Sequence, residues 1–202
     1  MDNLEKLKSD IADCRICVED PIGEGLPHQP RPVAVLSSKA KIRIIGQAPG
    51  TRVHASGRPF TDPSGDRLRE WMGIDERIFY DADKLAITPM GFCFPGLDAK
   101  GGDRPPRKEC ARHWQEAVSA SMPQVRLTLL IGMYAQRHYL GGLSHKTLTQ
   151  TVADWETIYS ASNQMFLPLP HPSWRNNAWI KKNPFFANAL IPYLQKEIQS
   201  LI

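Results

Sequence analysis

The sequence lacks any run of the roughly 18 to 20 apolar residues that a membrane-spanning helix needs. Its opening, MDNLEKLKSDIADC, mixes both charges at helical spacing and has no apolar stretch of the kind a signal peptide carries. A cytoplasmic location and no membrane association are expected. Cysteine is scarce, four in 202 residues. That excludes a disulfide-stapled miniprotein, and a reducing compartment would not favour pairing the four as two disulfides. An excess of one charge is also missing: 25 basic against 21 acidic residues leave +4. Such a mild basic balance permits an anionic partner without demanding one. Internal repeats and low-complexity tracts are absent.

What is present is a globular composition. Hydrophobic residues make up 42% and charged residues 23% of the 22.7 kDa chain. That fits one domain over residues 1–202, able to bury a core unaided. Proline is plentiful, 17 residues, above the usual roughly 5%. Stiff irregular loops are therefore expected, above all over residues 20–32 and 94–106. Leu4, Leu7 and Ile11 predict an amphipathic helix ending near Cys14. Apolar runs at 41–46, 85–88, 125–131 and 164–169 read as strands, with 51–63 as loop. Helical patterns follow from Ser64, at 107–122, at 134–140 and at 183–202, the last kinked or delayed by Pro192. Strands alternating with helices predict an α/β fold with a mainly parallel sheet. In such sheets chemistry gathers at the carboxyl ends of strands. Residues 46–50 and 170–176 fall there.

Cys14 and Cys17 form a C-x-x-C, and Cys93 and Cys110 flank the second Pro/Gly-rich loop. A C-x-x-C can present two thiolates to one metal or cluster. Zinc, an iron–sulfur cluster and unrelated thiols all remain open on this reading. A thioredoxin-type pair fits less well, because Cys14 ends a helix instead of opening one.

Three loops attract chemistry. Gly46-Gln-Ala-Pro-Gly50 is a strand-to-loop turn whose glycines permit close approach of a ligand. It is neither a Walker loop nor a dinucleotide fingerprint. Gly57-Arg-Pro-Phe-Thr-Asp-Pro-Ser-Gly65 leads into a helix. Phe60 could be core or a stacking platform, Asp62 a turn residue or an acid, and Ser64 a helix cap. Pro170-His-Pro-Ser-Trp-Arg-Asn176 holds His171 between two prolines, which suits a positioned hydrogen-bond donor.

Together, in this order, these loops resemble the uracil-DNA glycosylase superfamily, most closely its iron–sulfur branch, family 4. Gly46-Gln-Ala-Pro-Gly50 is similar to that family's Gly-Glu-Ala-Pro-Gly. Gly57-Arg-Pro-Phe60 matches its Gly-Arg-Pro-Phe, and His171-Pro-Ser173 its His-Pro-Ser/Ala. The four cysteines fall where the family has cluster ligands. The resemblance implies a three-layer α/β/α sandwich, a 4Fe-4S cluster on Cys14, Cys17, Cys93 and Cys110, DNA as partner to a monomer, and hydrolysis of a base–sugar bond. A duplex hides that bond, so the base would be flipped into a pocket. The implied substrate contacts are Gly46, Gln47, Ala48, Phe60, Ser173 and Asn176, with His171 donating to the base as negative charge grows on it. Trp174 and Arg175 could wedge into the stack or grip the backbone, and Lys181 and Lys182 could meet phosphates.

Three positions depart from the family. Gln47 stands at the carboxylate of the first motif, and an amide cannot activate water as a carboxylate can. Val53-His54 replaces the usual Glu-Asp. Pro89 replaces the base-reading Asn four residues before Cys93. Asp62 is accordingly the expected substitute acid, with His54 as second candidate base or nucleophile, and Thr88 as a replacement reader of the base edge. The expected function is a DNA glycosylase-like protein acting on uracil or another deaminated base. The alternative is an inactive or altered member that binds DNA or a nucleobase without hydrolysis.

Overall fold

The computed structural model describes residues 3–161 and 165–202. Four short strands, β1 (Ile42–Ile45), β2 (Leu85–Ile87), β3 (Leu127–Ile131) and β4 (Met165–Leu169), form a sheet in the order β2-β1-β3-β4. Every pairing is parallel. The strands are rich in Ile and Leu, and β1, β2 and β3 are buried along their whole length, as a sheet covered by helices requires. Gln164, expected to open the last strand, lies outside the described residues.

The helices in chain order are α1 (Asn3–Ala12), α2 (Ile16–Glu19), α3 (Thr51–Ser56), α4 (Pro63–Met72), α5 (Glu76–Phe79), α6 (Lys108–Ala120), α7 (Met133–Leu140), α8 (Leu148–Ala153), α9 (Trp155–Ala161), α10 (Asn177–Lys182) and α11 (Ile191–Leu201). Strand side chains alternate between the two faces of the sheet. Ile42, Ile44, Leu127, Leu129, Leu167 and Leu169 point to one face, where Leu68, Trp71 and Met72 of α4 and Leu194 and Ile198 of α11 cover them. Ala86 faces the other way, beneath Leu4 and Ile11 of α1 and Trp114 and Val118 of α6. Ile45 and Leu130 meet Ala135 and Leu140 of α7 on that side. The result is the expected three-layer α/β/α sandwich.

Arg43 breaks the apolar pattern on the second face. It is only 4% exposed. Its guanidinium donates to the Thr88 hydroxyl at 2.6 Å, Ser119 at 2.8 Å, Gln115 Oε1 at 3.1 Å and Tyr139 at 3.0 Å. Gln115 in turn donates to the carbonyls of Pro89 and Met90. The network thus fixes the chain leaving β2, since an unpaired buried polar group would cost more than a weak bond gains.

Two expectations need correction. Residues 51–56, read as loop, form α3, and Gly57 closes it at φ 70°. Only Val53 of this turn is buried, so no apolar period announces it. The closing helix begins with a π-helical turn at Phe186–Leu190, and Pro192 sits in the first turn of α11, where its missing N–H costs little. The short helices α5, α8, α9 and α10 were likewise not expected.

The entry to α4 is the tightest point of the chain. Phe60 holds φ 56°, the one non-glycine residue with positive φ among those described. A Cβ on Gly65 would lie 1.9 Å from the Phe60 carbonyl oxygen. Only glycine fits there. Gly65→Ala is expected to lower unfolding free energy by at least about 1–3 kcal/mol, the range for forced overpacking, as read by denaturant melting. Unchanged stability would show that the turn yields.

Candidate active site

The carboxyl ends of β1, β2 and β4 converge on a cavity of about 90 Å³. Gly46, Gln47 and Ala48 come from the turn after β1, Pro89 from beyond β2, and His171 from beyond β4. Phe60 and Asp62 close the wall. A wider cleft of about 770 Å³ adjoins it, reaching Arg52, Arg67, Ser173, Trp174 and Arg175. This is the place where parallel α/β sheets bind ligands, near the strand where the order reverses.

Phe60 is positioned by backbone and edge contacts. Its ring meets Phe79 edge-on, with centroids 5.9 Å apart. The Tyr80 hydroxyl donates to the carbonyls of Pro59 and Phe60 at 2.9 and 3.0 Å. A Cβ on Gly46 would stand 3.6 Å from the tip of the Phe60 ring, so the first turn and the ring face each other closely.

His171 is set by the loop after β4. Asn176 donates its amide to the His171 carbonyl at 2.7 Å. Ser173 caps the next turn by accepting from the Arg175 N–H at 3.2 Å, and its carbonyl accepts from Arg67 at 3.0 Å. Burial lowers the His171 pKa below the ordinary 6.5; the charges of Asp62 and Asp103 oppose that, and Arg175 adds to it. The imidazole is neutral at pH 7 and keeps one N–H to donate.

Asp62 lines both cavities, but its Oδ1 already serves α4. It accepts from the Gly65 N–H at 3.3 Å and from the Ser64 hydroxyl at 2.5 Å. The expected cap, Ser64, therefore supports the actual cap. Asp103 was not anticipated. It lies open to the cleft beside His171, carried by the loop between Cys93 and Cys110. Partial burial raises its carboxyl pKa, His171 and Arg175 oppose this, and Asp62 and Asp98 add to it. No local pattern could have flagged it, because only the loop's path across the fold brings residue 103 against residue 50.

Other expected site residues stand elsewhere. His54 lines neither cavity. Its ring lies against His28 and Phe94, with centroids 4.4 and 5.6 Å away, and its buried Nδ1 has no hydrogen-bond partner among the described residues. The α3 turn places it outside both cavities, away from any water or base held there. Thr88 is fully buried beneath the wall and bound to Arg43, which removes it as a reader of a base edge. Asn176 supports His171 instead of lining the cavity. Trp174 is 72% exposed at the cleft rim with Arg175 beside its ring.

The four cysteines gather at the second-face core. Cys17, Cys93 and Cys110 are buried and Cys14 is partly so. Burial above all, with a smaller contribution from neighbouring cysteines, raises the Cys17 pKa to about 12 and that of Cys93 to about 11. Three N–H groups point at sulfur: Trp114 Nε1 to Cys14 at 3.2 Å, the Phe92 amide to Cys110 at 3.3 Å, and the Arg31 amide to Cys93. Such donors stabilise thiolates held by a positive centre. Among the described residues no three His, Cys, Asp or Glu are grouped to hold a single metal ion. A cluster binds one thiolate per iron and so takes a wider set than one ion does. The donor chemistry, all sulfur with N–H support, fits such a group.

Fold and site together define an α/β protein whose ligand cleft lies over the carboxyl edge of a parallel sheet. A sequence profile of the Uracil DNA glycosylase superfamily matches residues 33–195, and the chain belongs to that superfamily. It is similar to a Type-4 uracil-DNA glycosylase of Sulfurisphaera tokodaii, 28% identical over 139 residues. That match spans 64% of this chain and 55% of the relative's length. An NMR structure from Methanosarcina acetivorans, of a protein proposed as a uracil DNA glycosylase, is 15% identical with TM-score 0.45, covering 80% of this chain and 95% of that one. No helix among the described residues is long and apolar enough to cross a membrane.

The neutral state of His171 has a consequence for stability. Below about pH 6.5 the unfolded chain takes up a proton that the folded chain resists, so this contribution to stability is full above about pH 6.5 and is lost as pH drops from there to the folded pKa. His54 and His138 shift in the same direction. His171→Gln should flatten part of this fall. Denaturant unfolding between about pH 5 and 7.5 measures it; a wild type more stable at the acid end would contradict the assignment.

Proposed function

We propose that this protein hydrolyses the N-glycosidic bond of a flipped deaminated base in DNA. The observation that carries the reading is the cavity walled by Phe60 and His171. An aromatic face and a neutral imidazole donor are what a flipped base needs, one for stacking and one for its oxygen. As the bond breaks, negative charge grows on the base, and the His171 N–H meets it. Gly46 borders the ring closely, and Gln47 lines the same cavity. The cleft cations Arg52, Arg67 and Arg175 suit a phosphate backbone, and exposed Trp174 suits the gap a flipped base leaves. Asp62 shapes the cavity through the α4 cap and adds negative potential.

A second reading, binding without hydrolysis, is favoured by Gln47 and Pro89, which replace an acid and an amide of the family pattern. Base release from oligonucleotides carrying uracil, hypoxanthine or xanthine separates the two. Turnover of at least one substrate is expected, with His171→Ala losing about 10²-fold or more. Salt-sensitive DNA binding without release of any of the three bases would leave the binding reading.

The cysteine site is proposed to hold a 4Fe-4S cluster on Cys14, Cys17, Cys93 and Cys110. The cluster would supply a structural cross-link between α1, α2 and the loop that opens at Cys93. Anaerobically purified protein should contain four irons and absorb broadly in the visible range. Zinc alone, or no metal, would contradict it.

A further inference from the structure

We propose that Asp103, from the loop between Cys93 and Cys110, is the catalytic carboxylate that takes a proton from the attacking water. The inference rests on the glycosylase reading and supplies the acid that the first motif lacks. Two carboxylates border the cavity, and the structure distinguishes them. Asp62 is engaged: its Oδ1 accepts two hydrogen bonds that start α4. Among the described residues no group donates a hydrogen bond to the Asp103 carboxylate, and it is open to the cleft from which water must come.

The loop is built to hold Asp103 there. Leu97 and Asp103 form an isolated antiparallel bridge, and the Arg104 N–H donates to the Gly96 carbonyl at 2.9 Å. Asp98 accepts from the N–H groups of Lys100 and Gly102 at 2.8 and 2.9 Å. Gly50 leaves room on the opposite side: a Cβ there would stand 3.3 Å from Asp103 Oδ2. The side chain of Gln47 reaches the same loop, its Nε2 lying 3.5 Å from the Arg104 carbonyl. An amide can donate in that position, whereas a carboxylate would face a carbonyl and a second acid. An amide at residue 47 and an acid at residue 103 are thus compatible at one wall.

The chemistry balances. The C1′–N bond breaks and its electron pair leaves with the base, whose oxygen accepts from His171. The water oxygen bonds to C1′ and gives its proton to Asp103. That proton then passes through solvent to the base anion, so the products are a free base and a sugar bearing a C1′ hydroxyl. During bond breaking the sugar is cationic, and a sugar seated toward the cleft would be stabilised by the Asp103 charge that lines it.

Two readouts test this. In single-turnover base release, Asp103→Asn should lose about 10²-fold or more in rate, lose the acid limb of the wild-type pH profile, and keep the wild-type unfolding midpoint. Asp62→Asn should lose less. In the second readout, DNA carries either a cationic pyrrolidine or a neutral tetrahydrofuran in place of one sugar. The wild type should prefer the cation by roughly tenfold, as expected for a nearby opposite charge partly screened by water, and Asp103→Asn should lose that preference. Release by wild type and Asp103→Asn at equal rates overturns Asp103 and leaves the glycosylase reading intact. No release on any substrate, with the cation preference still dependent on Asp103, overturns the hydrolytic reading and leaves Asp103 as the sugar-side charge. No release together with a preference that ignores Asp103 overturns both.

Discussion

The close contact between Gly65 and the Phe60 carbonyl is the constraint on which the site depends. A side chain at residue 65 would occupy the carbonyl's position. With that space left empty, Phe60 can take its left-handed backbone and turn its ring toward Gly46. Holding a bulky residue there costs of order 1–3 kcal/mol. The Tyr80 hydroxyl, the Phe79 edge and the Asp62 cap of α4 offset that cost. A strained aromatic at a cavity wall, fixed from three directions, marks a functional surface more strongly than an aromatic buried without strain.

The sheet supplies the rest of the geometry. Parallel pairing puts every carboxyl end on one edge, so the turns after β1, β2 and β4 meet without any further device. Buried Arg43 ties the exit of β2 through Gln115 to the Pro89 carbonyl. The cysteine loop then folds back over the same edge, which makes the two chemically distinct regions of the molecule neighbours in structure. A cross-link at the cysteines would stiffen the base of the loop that carries Asp103.

Much of the fold was legible in the sequence because its signals are local. The strands are apolar runs stopped by glycine or proline, as Gly46, Gly132 and Pro170 show, and α4 and α6 have clear apolar faces. The motif glycines and His171 were legible for the same reason, since each sits directly after a strand. The short helices were not, because α3 buries only Val53 and leaves no period to read. The placements of His54 and Thr88 were not legible for a related cause: one residue of rotation decides whether a side chain meets the cavity or the core, and adjacency in sequence does not fix that rotation. Asp103 depends on a long irregular loop crossing the fold, which no composition or spacing encodes.

The central claim is that a single flipped base sits between Phe60 and His171 at the carboxyl edge of the sheet. A crystal structure of the protein with DNA whose target nucleotide carries a 2′-fluorinated sugar tests it most directly, because the fluorine resists build-up of positive charge at C1′ and blocks cleavage. The account predicts the base extrahelical, stacked on Phe60, with its oxygen in hydrogen-bond reach of His171 and its sugar facing Asp103. A base still stacked in the DNA, or bound anywhere other than this cavity, would contradict it.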